Sequence, residues 1–134
     1  MLSPHFLRDR LRDEQVGNAT VEFALVTPIL LAVALAVLQL ALALHVRTTL
    51  TAAASEGARA AALAGADLAV GERRTRAILD GNIATGLVKD ITAQREWHQG
   101  VLVVSVRVDA ALPLLGLYGP TEMSLVGHAI QEHS

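Results

Sequence analysis

The chain has 134 residues, the length of one ordinary domain, yet 52% of them are hydrophobic and the mean hydropathy is +0.43, so apolar residues must be concentrated somewhere. A net charge of -2 and a pI near 6.2 give no basic field for a phosphate backbone, and the few aromatics, Phe6, Phe23, Trp97 and Tyr118, provide no stacking platform, so nucleic acid is not an expected partner. The lack of cysteine excludes disulfides, thiolate nucleophiles and Cys-based metal centres.

In chain order, the first element is a leader carrying Arg8, Arg10 and Arg12 among Asp9, Asp13 and Glu14. From Phe23 to Leu44 there follow 22 residues without a charge. As a helix this run measures about 33 Å, enough to cross a hydrocarbon core of about 30 Å. Read as a buried core helix, it would need the rest of a small chain to cover a rod that is apolar all round. Membrane lipid is therefore the expected surroundings.

Three arginines before the span stand against Arg47 and Arg59 after it, which favours a cytoplasmic N-terminus and an outer C-terminal domain. Ala41-Leu42-Ala43 offers a competing reading as a signal-peptide cleavage site, but an apolar region of 22 residues exceeds the roughly 7 to 15 of such peptides.

At the junction, Gly17 separates leader from span and Glu22 stands alone at the entrance of the apolar helix. Taken singly, Gly17 is an ordinary helix breaker, and Glu22 is an acid favoured by the positive end of a helix dipole. Pro28 releases the carbonyl of Ala24 and is expected to kink or loosen the helix near its start. Ala32 and Ala36 form a small-residue pair that lets a second helix come close.

The string Gly17, four residues, Glu22, Phe23 and an uninterrupted apolar helix resembles the processing site of type IV pilin-like proteins. The fuller pattern, Val21-Glu22-Phe23-Ala24-Leu25-Val26-Thr27-Pro28 with Glu56-Gly57-Ala58-Arg59 beyond the span, is similar to the TadE-like family of tight-adherence pilus minor pilins or pseudopilins. The resemblance implies cleavage by a membrane-embedded prepilin peptidase between Gly17 and Asn18. It also implies that Glu22 pairs with the new amine of a neighbouring subunit, and that the partners are other pilin or pseudopilin subunits and the pilus assembly platform.

A glycine suits that cut, because it lets the backbone leave the helix and extend. Asn18 and Thr20 would cap the new first turn, and an acid retained at a span is a functional candidate. Asn18 departs from the hydrophobic or small first residue common among pilins.

The domains expected are a cytoplasmic leader over 1–17, a transmembrane helix over 18–44 and an extracytoplasmic pilin-like α+β domain over 45–134. One long helix is expected from near Ala19 to Ala64, with Val46, Leu50, Ala53, Ala54, Gly57, Ala58 and Ala61 on one face and Arg47, Thr51, Ser55 and Arg59 on the other. Gly65 to Gly71 breaks the pattern. A second helix is expected from Val70 to Leu87 with Ala77, Ile78, Gly81, Ala84 and Val88 on its apolar side, and with Glu72–Arg76 and Arg76–Asp80 pairs worth tenths of a kcal/mol each. Its cluster Arg73, Arg74 and Arg76 reads first as a solvated face and second as a contact for anionic lipid or acids of a partner.

Strand chemistry then takes over: Ile91 to Trp97, a Gln99-Gly100 turn, Val101 to Val108, a loop from Leu112 to Pro120 and a last strand from Glu122 to Gln131, with an acid, Glu132, at its end. The sum is an α+β membrane protein whose spine helix carries a second helix and a small antiparallel sheet. The apolar stretch Leu114-Leu115-Gly116-Leu117-Tyr118 either covers the core's open end or meets the next subunit.

No nucleophile, phosphate-loop or zinc motif occurs. His5, His45, His98, His128 and His133 show no ligand spacing, and Glu96-Trp97-His98 alternates faces if it is a strand. The chain reads as a non-enzyme without cofactor or metal. A membrane-anchored envelope binding or sensor domain that is never processed is the alternative function.

Overall fold

The computed structural model describes residues 4–63, 66–112 and 121–131, with side chains from Gln15 onward. The elements are α1 (Pro4–Ala62), α2 (Leu68–Leu79), a short 3-10 helix (Ile83–Leu87), and strands β1 (Val88–His98), β2 (Val101–Leu112) and β3 (Thr121–Ile130). The chain divides into two compact units, Met1–Leu38 and Gln39–Ser134. The expected α+β class, with a long apolar helix, a second helix and a three-stranded antiparallel sheet, is the one observed.

The first unit is the earlier part of α1. Helix begins at Pro4 rather than near Ala19, so the leader is helical too. Proline suits a first turn because its missing N–H would lack an intrahelical partner there. Gly17 costs the helix only about 1 kcal/mol relative to alanine, too little by itself to interrupt the long helix that continues on both sides of it. The apolar residues of this unit face outward: Phe23 is 73% exposed and Ile29 64%. A helix whose most apolar stretch is this bare is no core helix. Gln15–Ala62 is long and apolar enough to cross a membrane, and the chain is membrane-anchored.

In the second unit the later part of α1 is the spine. Val46, Leu50, Ala53, Ala54, Ala58 and Ala61 are all buried, as is Gly57. These mostly small side chains let other elements approach the α1 backbone closely. Thr75 of α2 donates its hydroxyl to Gly71 O at 2.9 Å and lies 3.4 Å from Ala53 O of α1.

The second helix stops at Leu79 instead of reaching Leu87. Gly81 takes a positive φ of 78°, and Asn82 accepts the Ala84 N–H at 3.2 Å to open the 3-10 helix. Its buried face is Gly71, Thr75 and Leu79; Ala77 and Gly81 are exposed, contrary to the expected apolar side. Gly71, expected in the break, lies inside α2. Neither Glu72–Arg76 nor Arg76–Asp80 pairs: Asp80 is the non-helical C-cap that follows Leu79, and the Glu72 carboxylate turns to the sheet and accepts the Ala93 N–H of edge strand β1 at 3.0 Å. This covers part of an edge that would otherwise present open hydrogen-bonding groups.

The sheet has the order β1-β2-β3. Gln99 and Gly100 both have positive φ, 52° and 83°, the geometry of a two-residue hairpin turn matched to strand twist. Central β2 alternates: Val104, Val106 and Val108 are fully buried, and Ala110 and Leu112 nearly so. They face α1, as does Gly127 of β3, where a Cβ would lie 2.7 Å from Ala54 O. Leu112, expected in the loop, is thus a core residue at the end of β2. Arg95 donates to Ala66 O at 2.6 Å and Gln131 Oε1 at 3.0 Å, joining the chain after α1 to β1 and the end of β3.

Register gives the opposite, outer face in cross-strand rows: Asp90-Asp109-Ser124, Thr92-Arg107-Val126, Gln94-Ser105-His128 and Glu96-Val103-Ile130. Within the described residues this face has no second layer over it. The readings for Gly65, for Leu114 to Tyr118, for Glu132 and for His133 fall outside the described residues, as do the side chains of His5, Arg8, Arg10 and Arg12.

Candidate functional site

The candidate residues of the first unit lie along exposed helix. A Cβ on Gly17 would meet nothing within 4 Å, so the Gly17–Asn18 peptide is accessible from the side yet held in helical conformation. Proteolysis needs an extended strand in a protease cleft, so the turn must first unwind. Glycine is the residue that makes unwinding cheapest.

Thr20 does not cap a turn; its hydroxyl donates back to Val16 O at 2.9 Å. Glu22 is exposed and makes no hydrogen bond or ion pair among the described residues. It follows Asn18 by one helical turn and so shares its side of the helix. Phe23 beside it is exposed, and its carbonyl accepts the Thr27 hydroxyl at 2.7 Å. Pro28 stands within α1, where it denies the Ala24 carbonyl its helical donor. Ala32 and Ala36 are both exposed.

In the second unit the motif Glu56-Gly57-Arg59 divides its labour. Arg59 donates to Glu56 Oε1 at 2.9 Å on the exposed side, a surface pair worth no more than about 1 kcal/mol. Gly57 points inward to α2. There a Cβ would lie 2.7 Å from Gly71 O and would overlap Thr75 Oγ1. Sequence reasoning assigned Gly57 to the buried face but missed Gly71 and Thr75 as its counterparts, and missed Gly127 as the close contact of Ala54 and Ser55. The small-residue spacing of Gly71 and Thr75, and a glycine within a strand pattern, were the available signals.

Glu96, His98, Ser105 and His128 line an open depression of about 500 Å³ floored by Val103 and Ile130. Trp97, 71% exposed, is on the other face by strand alternation. Among the described residues, no three His, Asp or Glu side chains converge to hold a metal ion.

Residues 17–59 match the model of a family described as TadE-like protein. The match begins at Gly17, runs through Glu22, Phe23 and Pro28, and ends at Arg59, covering about a third of the chain. No curated protein and no solved structure matches.

Proposed function

We propose, from the TadE-like character of residues 17–59, that this chain is a minor pilin or pseudopilin that acts in assembly of a tight-adherence type IV pilus or a related secretion filament. The observation that carries the reading is the extent of the match. It takes in the Gly17–Asn18 junction, the acid at Glu22, the span and the Glu56-to-Arg59 motif as one block.

On this reading the leader stays in the cytoplasm, held by Arg8, Arg10 and Arg12, and a prepilin peptidase cuts after Gly17. The domain from residue 45 onward lies outside the cytoplasmic membrane. In the second unit the Ala-rich spine packs α2 and the sheet closely. That suits a filament subunit better than a tethered receptor, which needs no such spine. The role is structural: the partners are the peptidase, lipid, other pilin or pseudopilin subunits and the assembly platform.

Intact mass of the protein isolated from its own cells tests the reading. A mature chain beginning at Asn18, and accumulation of the full-length form in Gly17→Val, are the expected results. A native chain that keeps its leader would instead make this an unprocessed anchored domain, and a cut after Ala43 would make the span a signal peptide.

A further inference from the structure

The buried stripe of α1 starts inside the charge-free run. Gln39 and Ala43 are half-buried, and Val46 and Leu50 are buried, one face at helical spacing. On the other sides Leu40, Leu42 and Leu44 are 61%, 50% and 53% exposed. All of these residues belong to the second unit, which begins at Gln39. The run from Phe23 to Leu44, about 33 Å as a helix, barely exceeds a hydrocarbon core of about 30 Å, so its last turn stands where acyl chains give way to headgroups. An element at the level of Ala43 therefore lies in the interfacial layer of the membrane.

Both β2 and α2 lead to that level. Val104 packs with Ala61 and Ala62 near the end of α1, and Gly127, paired with Val106, meets Ala54 and Ser55. Further along β2, Ala110 and Leu112 belong to the core cluster against which Ala43 packs, so the strand runs back along α1 toward the span. Val88 pairs with Ala110. The start of β1, and the 3-10 helix Ile83–Leu87 that leads straight into it, are thus at this end. The second helix descends the same way, from Gly71 beside Gly57 and Ala61 to Thr75 within reach of Ala53, before the chain enters the same 3-10 helix. There Ala84 is buried in the core that holds Val46. Ile83 is 76% exposed, more than any other large apolar side chain among the described residues, those of the span included. A lone isoleucine on a wet surface needs no partner, but one level with Leu42 and Leu44 continues a surface that lipid covers.

We infer that this 3-10 helix is a second membrane contact, with Ile83 inserted beside the span at the boundary of headgroups and acyl chains. The occupant is the bilayer that already holds α1. Apolar side chains of interfacial elements reach roughly 5 to 10 Å into that boundary, a depth open to a turn that starts among the headgroups. Together with α1 the contact holds the second unit to lipid at two places, which limits its tilt. The inference rests on membrane anchoring by α1, and not on cleavage at Gly17 or on pilus assembly.

Trp97, the single tryptophan, is a built-in control. It stands beside the hairpin turn at the far end of β1, about 30 Å of strand away from Val88. The full-length chain is placed in phosphatidylcholine vesicles whose acyl chains carry bromine near the headgroup, a quencher on contact, and flotation with the vesicles verifies insertion of α1. Wild-type Trp97 should keep nearly all of its emission. Ile83→Trp in a Trp97→Phe background should lose most of its emission and shift to the blue of wild type. A nitroxide on Ile83→Cys, in a sequence with no native cysteine, carries the test if tryptophan disturbs the turn: it should collide with lipid-dissolved oxygen several-fold more than the same label on Trp97→Cys. In chains that float, emission from the Ile83→Trp variant that bromine leaves unchanged would overturn the inference, red-shifted if the turn stands in water and blue-shifted if protein covers it. Equal quenching of Trp97 would also overturn it, since the whole second unit would then lie on lipid. A chain that fails to float would overturn the anchoring and this contact with it.

Discussion

Gly57 of α1 and Gly71 of α2 face each other where the two helices meet. A Cβ on Gly71 would sit 2.9 Å from Gly57 O and 2.8 Å from Ala61 Cβ, and one on Gly57 would sit 2.7 Å from Gly71 O. Glycine within a helix costs about 1 kcal/mol relative to alanine, so both positions give up local stability for close approach.

Alanine at either site therefore reverses the usual helix preference. Gly57→Ala and Gly71→Ala should each destabilise the protein by about 1 to 3 kcal/mol, the range for overpacking, because the obstructing atoms include backbone. Gly17→Ala is the control: with nothing within 4 Å it should be neutral or slightly stabilising. Thermal unfolding of the full chain in detergent, followed by circular dichroism, separates the three. Equal melting temperatures for Gly71→Ala and wild type would refute the close-packing account.

The same reasoning applies with more force to Gly127, whose missing Cβ leaves room for the α1 backbone at Ala54 and Ser55. Neither main chain can yield without separating β3 from the spine. Gly127→Ala should cost at least as much as Gly71→Ala, and Gly127→Val more, with protection of the β3 amides in hydrogen exchange falling before that of β1.

Thr75 is fully buried, and its hydroxyl is within reach of carbonyls on both helices. Thr75→Val keeps the shape and loses the donor, at an expected cost of about 1 kcal/mol. Thr75→Ala should cost more, since it also removes packed atoms. Denaturant midpoints rank the two, and a Thr75→Val midpoint equal to wild type would mean that the hydroxyl contributes only volume.

Much of this fold was legible because periodicity carried it. Every residue placed on the buried face of the spine, from Val46 to Ala61, is buried, and the β2 valines and the Gln99-Gly100 turn stand where alternation and turn chemistry put them. What was missed depends on partners distant in the chain. Gly71 looks like a breaker until Gly57 opposes it, and Glu72 looks like half of an Arg76 pair until Ala93 of β1 offers an N–H. The helical leader was missed for a local reason, because one glycine, at about 1 kcal/mol, is too weak a breaker to end a long helix. At the candidate site, the residue types at Gly17, Glu22 and Phe23 were readable, whereas the place of Ile83 level with the end of the charge-free run required the fold of the second unit.

Glu22 provides the test that bears most directly on assembly. It is exposed, lies in the unit that contains none of the sheet or α2 packing, and makes no bond within the chain among the described residues. Its loss should therefore leave the melting temperature of the second unit unchanged. Its proposed partner, the Asn18 amine of another subunit, exists only after cleavage. Glu22→Gln keeps size and much hydrogen-bonding capacity and removes only the charge. If the acid serves merely as a favourable charge near a helix start, the substitution costs about 0.3 to 1 kcal/mol and pili form normally. An intermolecular ion pair in a low-dielectric filament core is worth more, and stranding the unpaired amine there carries a penalty of several kcal/mol. The mutant should insert, be cut after Gly17 at least in part, and fail to support pili. Counting pili by electron microscopy at matched protein level decides between these outcomes: wild-type numbers would remove Glu22 from the assembly contact, whereas processed but bald cells would place it there.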